Sequence, residues 1–166
     1  MGETKNLVSE AAIEKMKELA NNKICMFCTR QNGEMITRPM DAQQVDEEGN
    51  LWFLSRKGSD KNKQVDADNW VYLVFMDTSK QHYLSLTGRA EILVDRKKTE
   101  EIWDSFAKAW FKGGKDDPEI TLLKVVPHDG HYWDTKNGKF ISFMKIALAT
   151  VSGKEMDGGV EGDLQP

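Results

Sequence analysis

The chain is expected to be mainly β: a small antiparallel, Greek-key-like β-barrel with flanking helices. Three observations lead there. Short apolar runs recur along most of the chain, with tight turns between them. Helical spacing is confined to a few separate segments. Strands and helices do not alternate, and no G-x-G-x-x-G occurs, so a doubly wound nucleotide fold is not expected.

Ser9 to Asn22 reads as a helix, with Ser9 as N-cap and Ala12, Ile13, Met16, Leu19 and Ala20 on one face. Lys23 to Arg30 is a strand, and Asn32-Gly33 is the centre of a tight hairpin turn. Met35 to Val45 returns, Asp46 to Asn50 turns again, and Leu51 to Ser55 is a third strand. A short helix should run from about Ser59 to Asp66. Trp70 to Met76 is almost continuously apolar, which predicts a strand buried on both faces. Tyr83 to Val94 is a long strand. Lys97 to Phe111 has helical spacing, with Ile102, Trp103, Phe106, Ala109 and Trp110 turned inward. Leu122 to Val126 and His131 to Asp134 form a last strand bent at Pro127, and Phe140 to Val151 has the spacing of a helix. Residues 1–151 are expected to be one domain. Ser152 to Pro166 is rich in glycine and acid and reads as a loose tail or an arm on a partner.

Length and composition narrow the function. The chain has 166 residues, 39% hydrophobic and 30% charged, which suits one globular unit. A formal net charge of −4 argues against coating nucleic acid, which requires a basic face. No stretch is apolar for long enough to cross a membrane, and Met1 to Asn6 lacks a signal core. Gly2 is followed by Asn at position 6, so the myristoylation pattern fails. The expected address is the cytoplasm. Cys25 and Cys28 make no disulfide framework; three apart on a strand, they face opposite sides and cannot share a metal. His128 and His131 are too few to hold a metal without a third ligand.

Four segments carry possible chemistry. Leu51 to Ser55 runs into a polar turn with Gly58 and then a helix start, where free backbone N–H groups can hold an anion. Arg56, Lys57, Lys61 and Lys63 surround it with positive charge, as a phosphate monoester needs. The same pattern also fits a solvated, capped loop. Thr37-Arg38-Pro39-Met40 puts a proline inside a strand, which requires an edge or a bulge. Ser85, Thr87 and Gly88 give the strand Tyr83 to Val94 small and polar positions, and an ordinary barrel strand would look alike. Trp110 and Phe111 precede a glycine pair, where they either cover a flat ring or end a helix in the core.

Taken in order, Thr37-Arg38-Pro39-Met40, Trp52-Phe53-Leu54-Ser55, Ser59-Asp60-Lys61, Gln64-Val65, Ser85-Leu86-Thr87-Gly88-Arg89-Ala90, Ala109 to Pro118 and Tyr132-Trp133-Asp134 make a pattern. The chain resembles the pyridoxamine 5′-phosphate oxidase-related family, in its general stress protein branch, from about Ser9 to Val151. The resemblance implies the FMN-binding split barrel, a homodimer with flavin in the interface clefts. It implies that Arg38, Pro39 and Met40 line the isoalloxazine edge, and that Leu54 and Ser55 flank the ring and ribityl chain. Ser59, Lys61 and Asn62 would hold the phosphate, Ser85 and Gly88 would sit near the flavin, and Trp110 and Phe111 would reach over from the second subunit. The true oxidases end in Arg-x-His-x-Arg; this chain has no such motif, so vitamin B6 oxidation is not expected.

Two functions remain on these grounds. One is an FMN-dependent oxidoreductase linked to stress, with an electron donor and acceptor the sequence does not name. The other is a protein that stores or senses flavin without turnover. FAD, or another flat anion such as haem, is the alternative ligand.

Overall fold

The computed structural model describes residues 3–5, 7–135 and 159–166. In chain order the elements are β1 (Glu3–Thr4), β2 (Leu7–Val8), α1 (Ser9–Ala20), β3 (Lys23–Gln31), β4 (Glu34–Ala42), β5 (Gln44–Val45) and β6 (Leu51–Arg56). Then come α2 (Asp60–Ala67), β7 (Trp70–Asp77), β8 (His82–Leu93), α3 (Arg96–Ile102), single 3-10 turns at Phe106–Ala109 and Gly114–Asp116, β9 (Ile120–Thr135) and β10 (Gly159–Gln165).

Hydrogen-bonded neighbours run β4-β3-β7-β8-β9, all antiparallel, and β9 then pairs β6 along its first half and β10 along its second. Strand β6 curls back against β4, yet among the described residues no ladder joins the two. The barrel is therefore mainly β, as expected, and it is split between β4 and β6. Phe27 and Phe53 meet edge to face inside it, 5.2 Å between ring centroids, with Leu73, Leu84, Leu86 and Leu123 around them. Helix α1 closes one end through Ala12, Met16, Leu19 and Ala20.

Local chemistry explains most elements. Asn32 and Gly33 both take positive φ, 52° and 81°, which is what a two-residue hairpin turn demands. The Ser59 side chain caps α2 by accepting from the Asn62 N–H. At Gly88 a bulge shifts the β8–β9 register opposite Pro127. A Cβ there would stand 2.5 Å from the Val126 carbonyl oxygen, so only glycine fits.

The structure departs from the sequence expectations in four places. Ser9 is not the N-cap of α1; Val8 holds that position, and Ser9 is the first helical residue with φ 50°. Strand β7 is not buried on both faces: Val71, Leu73 and Phe75 point into the core, while Tyr72, Val74 and Met76 stand exposed. The helix expected over Lys97 to Phe111 stops at Ile102. Trp103 is extended, and the Asp104 carboxylate accepts from the Ala107 N–H at 2.8 Å, restarting the chain as a 3-10 turn. This turns Phe106 and Trp110 outward and buries Ala107 and Phe111 instead.

The fourth departure is the C-terminal segment. Residues 159–165 are neither loose nor an arm. They form β10, antiparallel to β9 and parallel to β1 and β2, with Leu164 fully buried in the main core. The helix expected over Phe140 to Val151 lies outside the described residues. Leu164→Ala should lower the unfolding free energy in urea by about 2–5 kcal/mol. A loss within the surface range of about 0.5 kcal/mol would show that β10 is not packed as described.

Candidate functional site

The split in the barrel opens into a cleft of about 620 Å³. Strand β4 lines it with Pro39, Met40 and Asp41, and β6 lines it with Leu54, Ser55 and Arg56. Lys61 enters from the first turn of α2, and Ile24 and Gln43 close the far side. The segment after α3 forms the remaining wall with Asp104, Phe106, Ala107, Trp110 and Phe111. Two of these aromatics, Phe106 and Trp110, are 79% and 75% exposed and form the rim. Arg56 ties this wall to the barrel: its guanidinium donates to the Trp110 carbonyl and lies 5.4 Å from the centre of the Phe111 ring.

Lys61 and Arg56 are the cations that line the cleft, and Lys61 is the more buried. It is half-buried, and no acid pairs with it among the described residues. Burial lowers its pKa below the ordinary 10.5, and the like charges of Arg38 and Arg56 lower it further. An ammonium held among cations and apolar walls lacks a counter-ion, which a bound anion supplies.

Of the twelve residues expected at the site, the structure brings seven to this cleft: Pro39, Met40, Leu54, Ser55, Lys61, Trp110 and Phe111, the last two from the same chain and not, as expected, from a second subunit. Arg38 points elsewhere. It shares a strand face with Met40, but its guanidinium donates to Thr29 Oγ1 at 2.8 Å and Gln64 Oε1 at 2.7 Å, on the side of α2. Asn62 is buried and its side chain is occupied by Ser55 Oγ at 2.6 Å and Thr121 Oγ1 at 3.0 Å. Ser59 is spent on the helix cap. These three support the cleft from behind.

Ser85 and Gly88 lie apart from the cleft. Gly88 is at the bulge, and Ser85 lines a separate cavity of about 570 Å³ on the outer face of the sheet, with Tyr72, Val74, Thr87, Asp129 and His131. Cross-strand register aligns Met26, Val74, Ser85 and His131 in one row of that face. Ile24, 66% exposed, borders the cleft on the same strand and the same side as Met26, so the outer face runs into the cleft.

Sequence reasoning did not pick out Asp41, Gln43, Asp104 or Phe106 as cleft residues. Asp41 follows the motif Thr37 to Met40 directly, and the edge position implied by Pro39 was the signal for it. Phe106 was assigned inward because the break at Asp104 was not anticipated. The thiols of Cys25 and Cys28 are free, and burial pushes Cys25 up to about 12. His131 bonds Asp163 at 2.7 Å, and His128 packs edge-on against Trp70. No helix among the described residues is long and apolar enough to cross a membrane.

Comparison with known proteins agrees with this fold. A general stress protein 26 structure from Jannaschia sp. CCS1 superposes with a TM-score of 0.77 at 30% identity, covering 95% of this chain and all of that one. The general stress FMN/FAD binding protein of Xanthomonas citri superposes with a TM-score of 0.64 at 22% identity, over 74% of this chain and 87% of that one, a likeness of fold. Protein bli-3 of Neurospora crassa is 27% identical over 168 residues, 90% of this chain and 79% of its own length. The family model described as pyridoxamine 5′-phosphate oxidase like matches residues 11–157, nearly the whole described barrel, and the chain belongs to that family.

Proposed function

We propose that the cleft binds flavin mononucleotide and that the protein works as a flavin-dependent oxidoreductase in a homodimer. One observation carries the flavin reading: a half-buried lysine, with no acid paired to it among the described residues, lines a slot whose walls also present Pro39, Met40, Leu54, Phe106, Trp110 and Phe111. That pairing suits a flat apolar head with an anionic tail. Lys61 would meet the phosphate, with Arg56 beside it. Met40 and Leu54 would flank the ring, and Phe106 and Trp110 would cover it at the rim and exclude water. Flavin, when bound, supplies redox chemistry, while the chain orients and shields the reacting face. The Xanthomonas citri relative, named for FMN or FAD, supports the ligand class.

The dimer reading rests on the outer face. Met26, Tyr72, Val74, Met76 and Trp133 are all exposed there, an apolar patch of the kind that marks an interface. A second chain on this face would cover β7 on both sides, as its composition led one to expect. It would also bring Ser85 toward a partner's cleft, which is the way that residue could reach a flavin. Val74→Lys should convert a dimer to a monomer by light scattering; a wild-type chain that is already monomeric would overturn the reading.

Lys61→Ala should weaken FMN binding by about 1.5–3 kcal/mol, roughly tenfold to 150-fold, read by flavin fluorescence quenching. Unchanged affinity would remove Lys61 from the site. The wild-type affinity should also depend on pH. Lys61 must be protonated to meet the phosphate, and its pKa in the empty cleft lies below 10.5, so affinity should fall as pH rises through that lowered value. Lys61→Arg keeps its charge and should lose this alkaline fall. Anaerobic reduction of the loaded protein by NADH or NADPH, faster than that of free flavin, would support turnover; none with either donor would favour a storage or sensing role.

A further inference from the structure

Residues 103–116 run from the end of α3 almost to β9 and carry the rim aromatics Phe106 and Trp110. They form a strap that closes its hydrogen bonds largely on itself. The Ala107 carbonyl accepts from the Trp110 and Phe111 N–H groups, and the Phe111 carbonyl accepts from the Gly114 N–H. Toward α3 the polar ties among the described residues are exposed ion pairs, Arg96 with Asp116 and Glu100 with Lys115, which hold weakly in water. Ala107 and Phe111 are buried, yet among the described residues neither belongs to an apolar cluster of the barrel. One hydrogen bond among the described residues joins the strap to a barrel strand, and Arg56 makes it, to the Trp110 carbonyl.

The same guanidinium faces Lys61. Both line the cleft, and the charge of Arg56 helps lower the Lys61 pKa, after burial and Arg38. On the other side it lies against the Phe111 ring. Its field also reaches the Asp117 carboxyl just past the strap, which the Glu119 and Gly113 N–H groups and then Arg56 hold below the usual range. The Trp110 carbonyl engages one side of the fork, and no other hydrogen bond occupies the side chain among the described residues. A guanidinium offers several N–H donors in a fixed plane, so it can hold a carbonyl and a phosphate oxygen at once. A lysine ammonium has neither the fork nor the flat face.

We infer that Arg56 is a positioning residue that couples the ligand's phosphate to the aromatic strap. A phosphate at Lys61 engages the donors that Arg56 has left, and the guanidinium so fixed holds Phe106 and Trp110 over the slot. This rests on the flavin reading, in which the phosphate meets Lys61. The phosphate then acts twice, through its own contacts and through the wall it secures. A flavin that lacks it leaves the strap loose, so the cleft selects phosphorylated flavins over the free vitamin. Such coupling is reciprocal: as the anion steadies the strap, the strap tightens the anion's binding.

FMN and riboflavin share one ring system and differ in the phosphate, and inorganic phosphate is the tail alone. Each is added to the full chain at a saturating concentration, with chloride as the ionic-strength control. Hydrogen exchange at the Ala107, Trp110, Phe111 and Gly114 amides is followed by NMR. FMN and phosphate should slow it by about fivefold or more, while riboflavin and chloride should not. Arg56→Lys keeps a cation beside Lys61, yet it should abolish this protection. It should also narrow the ratio of FMN to riboflavin affinity, read by fluorescence quenching, by about fivefold or more. Should that variant fail to fold, the wild-type chain decides. Strap exchange that bound FMN leaves unchanged, or that riboflavin slows equally, would overturn the inference, as would protection that survives in Arg56→Lys. Phosphate that slows the strap of a chain unable to bind FMN would defeat the flavin reading alone, and a chain that binds neither would defeat both.

Discussion

Among the described residues, strand β4 has a ladder on one side only. Its other edge faces β6 across the split, and that unpaired edge is the constraint from which the site follows. A closed barrel of this size fills its interior with side chains and has no room for a ligand. Here the interior is filled in the same way, by Phe27, Phe53 and the leucines around them. Room arises at the wall instead, where two strands approach without bonding. Pro39 belongs to this edge because it has no N–H to offer a neighbour. The backbone there is left to solvent or to a ligand, and Met40 and Leu54 stand on either bank.

A gap in a sheet is a weakness unless something holds its banks apart at a fixed distance. Helix α2 does much of this. Asn62 bonds to Ser55 of β6 and Thr121 of β9, while Gln64 bonds to Thr29 of β3 and to Arg38 of β4. One two-turn helix thus grips four strands through buried polar side chains, each of them satisfied. Buried polar networks fix a unique arrangement when every member has a partner. Lys61 lies between Asp60 and Asn62 in the first turn, so its position follows from bonds it does not make.

The parts of this design that are local were legible in the sequence. The Asn32-Gly33 turn, the Ser59 cap and the proline at the edge are each set by a few adjacent residues with strong conformational preferences. The succession of strands and helices along the chain followed from turns of that kind. What was not legible depended on distant partners. Arg38 and Lys61 look equally suited to a phosphate in sequence, and only the fold shows that one is spent on Thr29 and Gln64. Gly159 to Gln165 carries too little apolar pattern to announce a strand, and it becomes one because β9 offers an edge and the core has room for Leu164. Asp104 broke an apparently continuous helix because its own carboxylate competes for the Ala107 N–H.

Arg38 shows how support and function meet. Its charge is partly desolvated, and burial lowers its pKa even though its donors are satisfied. It also lies close enough to Lys61 to make that ammonium harder to protonate. The same contact that anchors α2 therefore leaves Lys61 electrostatically unfavourable in the empty cleft. Sequences tend to agree with their folds at every level except where a site is built, and this pair of unneutralised cations is such an exception. On the flavin reading proposed above, an anion at Lys61 relieves this repulsion, so the network that positions the helix also favours an anionic tail there.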